Sequence, residues 1–252
     1  MSEDCFELSL STIVFTDGAS SGNPGPGGWA AVIRTPVGEI RELGGRDENT
    51  TNNRMELMGV VRALAHLSRQ EGPVAIFTDS TYVIRGITQW IWGWRKRGWK
   101  TSGGKEVLNQ DLWQRLFSLT YARKPKVVWR YVPGHAGVPG NERCDKIAVA
   151  YSKGRRPSLY SGPEAGYSDD FTILPPEVPV PEMKTRTKKA KAYSYLSYVN
   201  GEVQRHWDWS SCEASVRGRS GALFKKAASA EAEFDILKGW GVSASKLPGG
   251  QG

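Results

Sequence analysis

The sequence predicts an α/β fold, with a mixed sheet that is antiparallel at its start and parallel later, followed by a small α+β second domain. Three observations carry this reading. The first β-rich runs are joined only by tight turns, which suits an antiparallel meander. Later β-rich runs are separated by segments of helical periodicity, which implies parallel pairing. A Pro-rich and then Lys-rich stretch, LPPEVPVPE followed by MKTRTKKAKA, precedes a second and shorter series of elements.

Residues 8–16 (LSLSTIVFT) form a β-rich run that Asp17-Gly18 is expected to end. GNPGPGG lacks the Gly-Lys-Ser/Thr of a nucleotide-binding loop and reads as a tight hairpin turn. Residues 28–34 and 39–44 read as two more strands. Leu57, Val60, Val61 and Leu64 stripe a helix over 50–69. Residues 74–78 (VAIFT) make a short apolar strand ending at Asp79. Val83, Ile87, Trp90 and Ile91 stripe the next helix, and Leu112, Leu116 and Leu119 another. Residues 127–132 read as a strand, and Cys144, Ile147, Ala148 and Tyr151 stripe a last helix.

The expected domains are residues 1–158, a linker over 159–190, a second domain over 191–243 and a disordered tail over 244–252. The linker is expected to be semi-extended, because its Pro-rich and Lys-rich sequence has no periodicity. In the second domain residues 193–199 alternate, Asn200-Gly201 is a strong hairpin turn, and 202–207 returns. Asp208 caps a helix through Val216, 223–227 is a third strand, and Ser229 caps a helix that Gly239 ends.

The chain has 252 residues and a formal net charge of +8, which biases it toward polyanions, nucleic acid above all. Residues 1–158 hold most of the excess, with 22 Lys and Arg against 15 Asp and Glu. Cys5, Cys144 and Cys212 include no CxxC pair, and their odd number argues against a disulfide framework. No long apolar stretch reads as a secretory signal or membrane span, so a cytoplasmic location is expected.

Asp17 and Asp79 each occur where an apolar run stops. If their strands are parallel neighbours, both side chains emerge at the sheet edge where open α/β sheets bind ligands. Glu56 and Asp145 each border the buried stripe of a helix. Alone, each residue also reads as a turn, a helix cap or a solvated carboxylate. Together they are an oxygen-ligand set for hard divalent cations. WIWGWRKRGWK interleaves Trp90, Trp94 and Trp99 with Arg95, Lys96, Arg97 and Lys100. Cations bind phosphates and aromatic faces pack on sugars or stack; Trp90 is expected on the buried stripe and the later residues on a basic protrusion.

FTDGASSGNPGPGGWAAVI, TTNNRMELMGVVRAL, FTDSTYVIRGITQWI and VPGHAGVPGNERCDKIA resemble type 1 ribonuclease H over residues 9–155. The resemblance implies a five-stranded mixed sheet flanked by helices, and hydrolysis of the RNA strand of an RNA–DNA hybrid to 5′-phosphate and 3′-hydroxyl ends. It implies that Asp17 bridges two magnesium ions, with manganese as an alternative. Asp145 would help hold one ion, and Glu56 and Asp79 the other. His135 would shuttle a proton or aid product release from an exposed, mobile loop. Asn23, Asn52 and Asn53 match minor-groove positions, and Thr51 and Asn109 match a pocket for a DNA-strand phosphate. Thr81 stands where the bacterial pattern often has Gln, and Asn49 where some members place Arg. Neither departure touches the carboxylates.

DWSSC and LFKKA, within residues 192–240, resemble the hybrid-binding, viroplasmin-like domain of eukaryotic ribonucleases H. That resemblance implies that Trp209 and Phe224 pack on DNA sugars while Lys225 and Lys226 grip phosphates. A hybrid endonuclease acting as a monomer is the leading expectation. A non-catalytic hybrid-binding scaffold and a related-fold recombinase or integrase are the competing readings.

Overall fold

The computed structural model describes residues 7–169, 174–182 and 192–247. They belong to two compact units divided between Pro181 and Glu182. The expectations for residues 183–191 and for the tail beyond 247 lie outside the described residues.

The first unit is built on a six-stranded sheet. Strand β1 (Thr12–Ser20) pairs antiparallel with β2 (Gly25–Arg34), and β2 with β3 (Glu39–Thr50). Helix α1 (Asn52–His66) leads to β4 (Val74–Thr78), which lies parallel to β1. Helix α2 (Thr81–Arg85), a π-helical turn (Gly86–Trp90) and helix α3 (Ile91–Lys96) follow. Then come α4 (Gln110–Tyr121), β5 (Val128–Tyr131) parallel to β4, and α5 (Pro139–Ser152). A short β6 (Ser161–Pro163) adds antiparallel to β3, so the order is β5-β4-β1-β2-β3-β6.

Successive side chains of a strand point to opposite faces, and here each face is a core. Val14, Ala31, Ile33 and Ile76 pack against the stripes of α1 and α4 and against Val83, Ile87 and Ile91. Ile13, Phe15, Ala75 and Phe77 pack on the other face against Cys144, Ile147 and Ala148 of α5. Strands β1 and β4 are therefore clamped between two layers, as the parallel part of an α/β sheet requires.

Two expectations change. Strand β1 does not stop at Asp17-Gly18 but continues to Ser20, pairing Gly18 with Trp29 and Ala19 with Gly28. The turn falls instead on residues 21–24. The described part of 159–190 is also not a free linker. Strand β6 supplies a sixth strand where five were expected, and the compact unit extends to Pro181.

A buried carboxylate explains that docking. Glu42 of β3 accepts from Arg143 Nε and Nη2 of α5 at 2.6 and 2.8 Å, from the Tyr160 N–H at 2.8 Å and from the Tyr167 hydroxyl at 2.5 Å. Burial alone would raise the Glu42 pKa, but these donors hold it below its ordinary value. Arg34 adds an ion pair to Glu164 at 2.8 Å. Farther on, Val178 bridges to Tyr131, Glu177 pairs with Arg130, and the Pro181 carbonyl accepts from Arg85.

The second unit is a three-stranded antiparallel sheet in the order β8-β7-β9, carrying helices α6 (Trp209–Val216) and α7 (Ala230–Gly239). Strands β7 (Ser194–Val199) and β8 (Glu202–His206) meet at Asn200-Gly201, where φ is 52° and 87° as a tight hairpin demands. Asp208 and Ser229 cap the two helices, accepting from the Ser211 and Ala232 N–H groups at 2.8 and 3.3 Å. Strand β9 (Leu223–Ala227) completes the sheet over a core of Leu196, Val203, Ala227, Ile236 and Leu237.

Arg143→Ala leaves the buried Glu42 charge without its main partner and is expected to cost on the order of 3 kcal/mol in urea unfolding. Because the folded pKa of Glu42 is depressed, its contribution is present above about pH 4.5 and is lost as pH falls through the folded value. Glu42→Gln should therefore lower stability at neutral pH and flatten the acid limb of the profile. Wild-type stability and acid response in both variants would contradict this.

Candidate active site

The register Phe15↔Phe77 between parallel β1 and β4 sets Asp17 and Asp79, each two residues farther on, side by side. Glu56 joins them from α1 because Gly18 has no side chain. A methyl group there would sit 2.2 Å from the Glu56 backbone nitrogen. One oxygen each from Asp17, Glu56 and Asp79 lie within 4.8 Å of one another. Asp145, half-buried on α5, lies outside that trio, yet its charge raises the pKa of both Asp17 and Asp79.

Burial first, and mutual repulsion second, disfavours charge on this cluster. Burial pushes the Asp17 carboxyl up to about 8, reinforced by Asp79, Asp145 and Glu142 and opposed by the Gly18 N–H, 2.6 Å from Oδ1. Burial also pushes Glu56 well up, with Asp17 and Asp79 adding to it. Its Oε1 accepts from Asn52 Nδ2 at 3.2 Å, while Oε2 is buried with no partner. Asp79 is raised by burial, while a hydrogen bond from Asn141 and the nearby His135 pull it down.

An all-oxygen set with raised pKa values and an unpartnered buried oxygen fits a hard divalent cation. Asp17, Glu56 and Asp79 are placed to hold one directly. His135 is exposed with φ at 54°, in a loop whose Gly134 lies against the Asp79 carboxylate. Asn141 was not singled out from the sequence. It sits four residues before Asp145, hence on the same face of α5, and that spacing was the available signal.

The RNase H family profile matches residues 10–153. The chain belongs to the RNase H family. Among its relatives, a ribonuclease H from Cyanothece sp. is 52% identical over 147 residues, spanning 58% of this chain and 92% of the relative. One from Maricaulis maris is 53% identical over 152 residues, spanning 59% of this chain and all of the relative. The crystal structure of LC9-RNase H1, described as a type 1 RNase H with the type 2 active-site motif, aligns with a TM-score of 0.51 at 28% identity. It covers 68% of this chain and 94% of that one. The family match ends before β6 and the second unit.

Asn23 is exposed in the β1–β2 turn, and Asn52 and Asn53 are exposed on the first turn of α1. Thr51 caps α1 through the Arg54 N–H, and the Arg54 side chain reaches Asn109 Oδ1 at 3.4 Å. Arg54 thus joins the two predicted phosphate-pocket residues while pairing with Asp111 at 2.6 Å. In the protrusion Arg95, Lys96, Arg97 and Lys100 are exposed, but Trp94 is not. It is 9% exposed and packs between Trp90 and Trp113, at 5.8 and 5.3 Å between ring centroids. Trp90 and Trp99 are half-buried against the same core. The exposed ring of this segment is Trp92, at 48%, edge-on to Phe117. The expected stripe members Ile87 and Ile91 are buried, and Trp94, i+7 from Ile87, joins them in the core while Trp90 is only half-buried.

In the second unit Trp209 and Phe224 are exposed by 41% and 52%, with ring centroids 5.4 Å apart. Lys225 and Lys226 are exposed on the same strand as Phe224. No helix among the described residues is long and apolar enough to cross a membrane.

The raised Asp17 pKa has a direction that can be measured without substrate. Its stabilising protonated form is fully present below about pH 3.8 and is lost as pH rises through about 8. In EDTA, wild-type melting temperature should fall across that window and Asp17→Asn should flatten the fall. Parallel profiles would contradict the repulsion described here.

Proposed function

We propose that the RNase H unit hydrolyses the RNA strand of RNA–DNA hybrids, with Asp17, Glu56, Asp79 and Asp145 holding two divalent cations. Magnesium is the first candidate and manganese the second. The observation that carries this reading is the Asp17-Glu56-Asp79 trio, two of them buried, at the carboxyl edge of β1 and β4, in a unit whose sequence is 52% and 53% identical to ribonucleases H over 147 and 152 residues. Bound cations would lower the pKa of the attacking water and offset charge on the phosphorus and the leaving 3′ oxygen.

The protein's own groups do the rest. Asp17 and Glu56, buried beside each other, each offer an oxygen to the site. Asn141 lies beside Asp79 and opposes the rise of its pKa. His135, exposed beside Asp79, would carry a proton between solvent and the cleaved ends, a 5′-phosphate and a 3′-hydroxyl. Asn23, Asn52 and Asn53 carry amides that both donate and accept, which suits groove edges and the 2′-hydroxyl that distinguishes RNA from DNA. Thr51 and Asn109, joined by Arg54, would seat a DNA-strand phosphate.

The second unit would bind the same hybrid through Trp209, Phe224, Lys225 and Lys226, raising the effective concentration of the RNase H unit on long hybrids. We place the protein in the cytoplasm, acting as a monomer.

Labelled hybrid, duplex RNA and duplex DNA, each with magnesium or EDTA, test the reading. Only the hybrid should be cut, only with magnesium, and Asp17→Asn should slow cutting by about 100-fold or more. Removing residues 183–252 should weaken hybrid binding by about tenfold with little change in single-turnover rate. Cleavage of duplex DNA, or metal-independent cutting, would refute the nuclease assignment. Unchanged affinity after truncation would refute the role of the second unit.

A further inference from the structure

Arg46, Arg155 and Arg156 line a cavity of about 620 Å³ with Glu48, Tyr151 and Gly154. The three guanidinium groups are not equivalent. Arg46 is committed: its Nη1 donates to the Tyr151 and Ser152 carbonyls at 2.6 and 3.0 Å, and its Nε and Nη2 donate to Glu48, both at 2.8 Å. It thereby satisfies two terminal carbonyls of α5, which would otherwise repel an anion. Glu48 in turn balances the Arg46 charge. The Arg155 and Arg156 side chains are exposed and make no hydrogen bond or ion pair among the described residues. Arg34, Arg54, Arg130 and Arg143 of the same unit are all paired with carboxylates.

The backbone leading to the two free guanidinium groups is held as far as Arg155. Gly154 takes φ of 76°, its N–H donates to the Tyr151 carbonyl at 3.0 Å, and the Arg155 N–H donates to the Ala150 carbonyl at 2.9 Å. This pair of bonds closes the helix end in a Schellman turn. Two charges held at the edge of a cavity on a rigid turn suit an anion better than two charges on a loose tail, because less freedom is lost on binding.

The cavity also has a definite place relative to the carboxylates. Helix α5 carries Asp145 and, about 10 Å farther along its axis at 1.5 Å per residue, Ser152. Ser152 Oγ lies 3.5 Å from Ser21 Oγ in the β1–β2 turn that also carries Asn23. Thr51 and Asn109 stand on α1 and before α4, on the opposite face of the sheet. A nucleic acid crossing the carboxylates from the Thr51 side would leave past the β1–β2 turn and meet this cavity. The planar guanidinium group matches a phosphodiester, which it can bind through two parallel N–H donors.

We propose that Arg155 and Arg156, with Arg46 as the floor, form a phosphodiester-backbone site that extends the hybrid footprint to the α5 side of the carboxylates. The proposal rests on the hybrid-nuclease reading. That reading supplies the ligand, and the arginine cavity supplies a contact that it did not include.

The test uses the full chain with magnesium and long hybrids, recording KM and kcat across a salt series. Replacing both arginines (Arg155→Ala with Arg156→Ala) should reduce the slope of log KM against log salt by about 2, since each phosphate contact contributes about 0.9. KM should rise roughly tenfold at physiological salt, where two such contacts are lost, and kcat should stay at the wild-type value. Lysine at both positions should restore the slope, because the charge is kept. On hybrids too short to reach past the turn, the alanine variant should match wild type. The charge-matched control Lys124→Ala with Lys126→Ala, before β5 at the opposite end of the sheet, should change neither quantity.

An unchanged slope in the arginine variant, or an equal effect from the lysine control, would overturn the site. Inorganic phosphate at matched ionic strength should inhibit wild type and variant alike. Inhibition confined to wild type would identify a free-anion site instead and overturn the backbone assignment. A wild-type chain that cuts no hybrid would refute the nuclease reading itself, which is a distinguishable outcome.

Discussion

Carboxylates buried within 4.8 Å of one another repel, and the rest of the RNase H unit holds them there against that repulsion. Strands β1 and β4 cannot part, because side chains from both faces lock them between two cores. Helix α1 cannot drift outward, because its stripe of Leu57, Val60, Val61 and Leu64 is buried on the sheet. At Gly18 the helix backbone touches the strand directly, which delivers Glu56 to Asp17. The packing of the two cores is a large favourable term that opposes the repulsion. A bound divalent cation would remove that repulsion, so the same geometry that strains the metal-free protein prepares it for metal.

The binding surface proposed for the hybrid runs from one face of the sheet to the other. Thr51, Arg54 and Asn109 belong to the α1–α4 side, the exposed asparagines to the sheet edge, and the arginine cavity to the α5 side. Residues 159–169 and 174–181 add to this unit rather than merely leaving it. Through Glu42 they bind to α5, the helix that carries Asn141, Asp145 and the turn before Arg155. The family profile stops at residue 153, so this bracing is a feature of the extension.

What was legible in the sequence was whatever depended on local patterning. The α1 stripe, the VAIFT strand, the Asn200-Gly201 hairpin and the caps Asp208 and Ser229 all follow from spacing and side-chain chemistry within a few residues. The four carboxylates were recognisable as a set, and the structure brings three of them into one cluster with the fourth acting on it electrostatically. What was not legible depended on partners far away in the chain. Glu42 meets Arg143, 101 residues on, and Tyr167, 125 residues on, so its burial and the sixth strand left no local mark. Asp17-Gly18 has turn chemistry, but pairing of Gly18 with Trp29 and the approach of α1 override it. Trp92 and Trp94 sit two residues apart on α3 and so on different faces, and packing against Trp90 and Trp113 buries Trp94 while Trp92 stays exposed.

The carboxylate cluster, with Asp17 and Glu56 holding protons, is built to exchange those protons for divalent cations. Titration of magnesium into the metal-free protein at pH 7, followed by calorimetry in two buffers of different ionisation enthalpy, measures that exchange directly. With Asp17 raised to about 8, binding should release roughly one proton or more per chain, and Asp17→Asn should reduce the release. Identical binding enthalpies in the two buffers, meaning no proton released, would contradict the account.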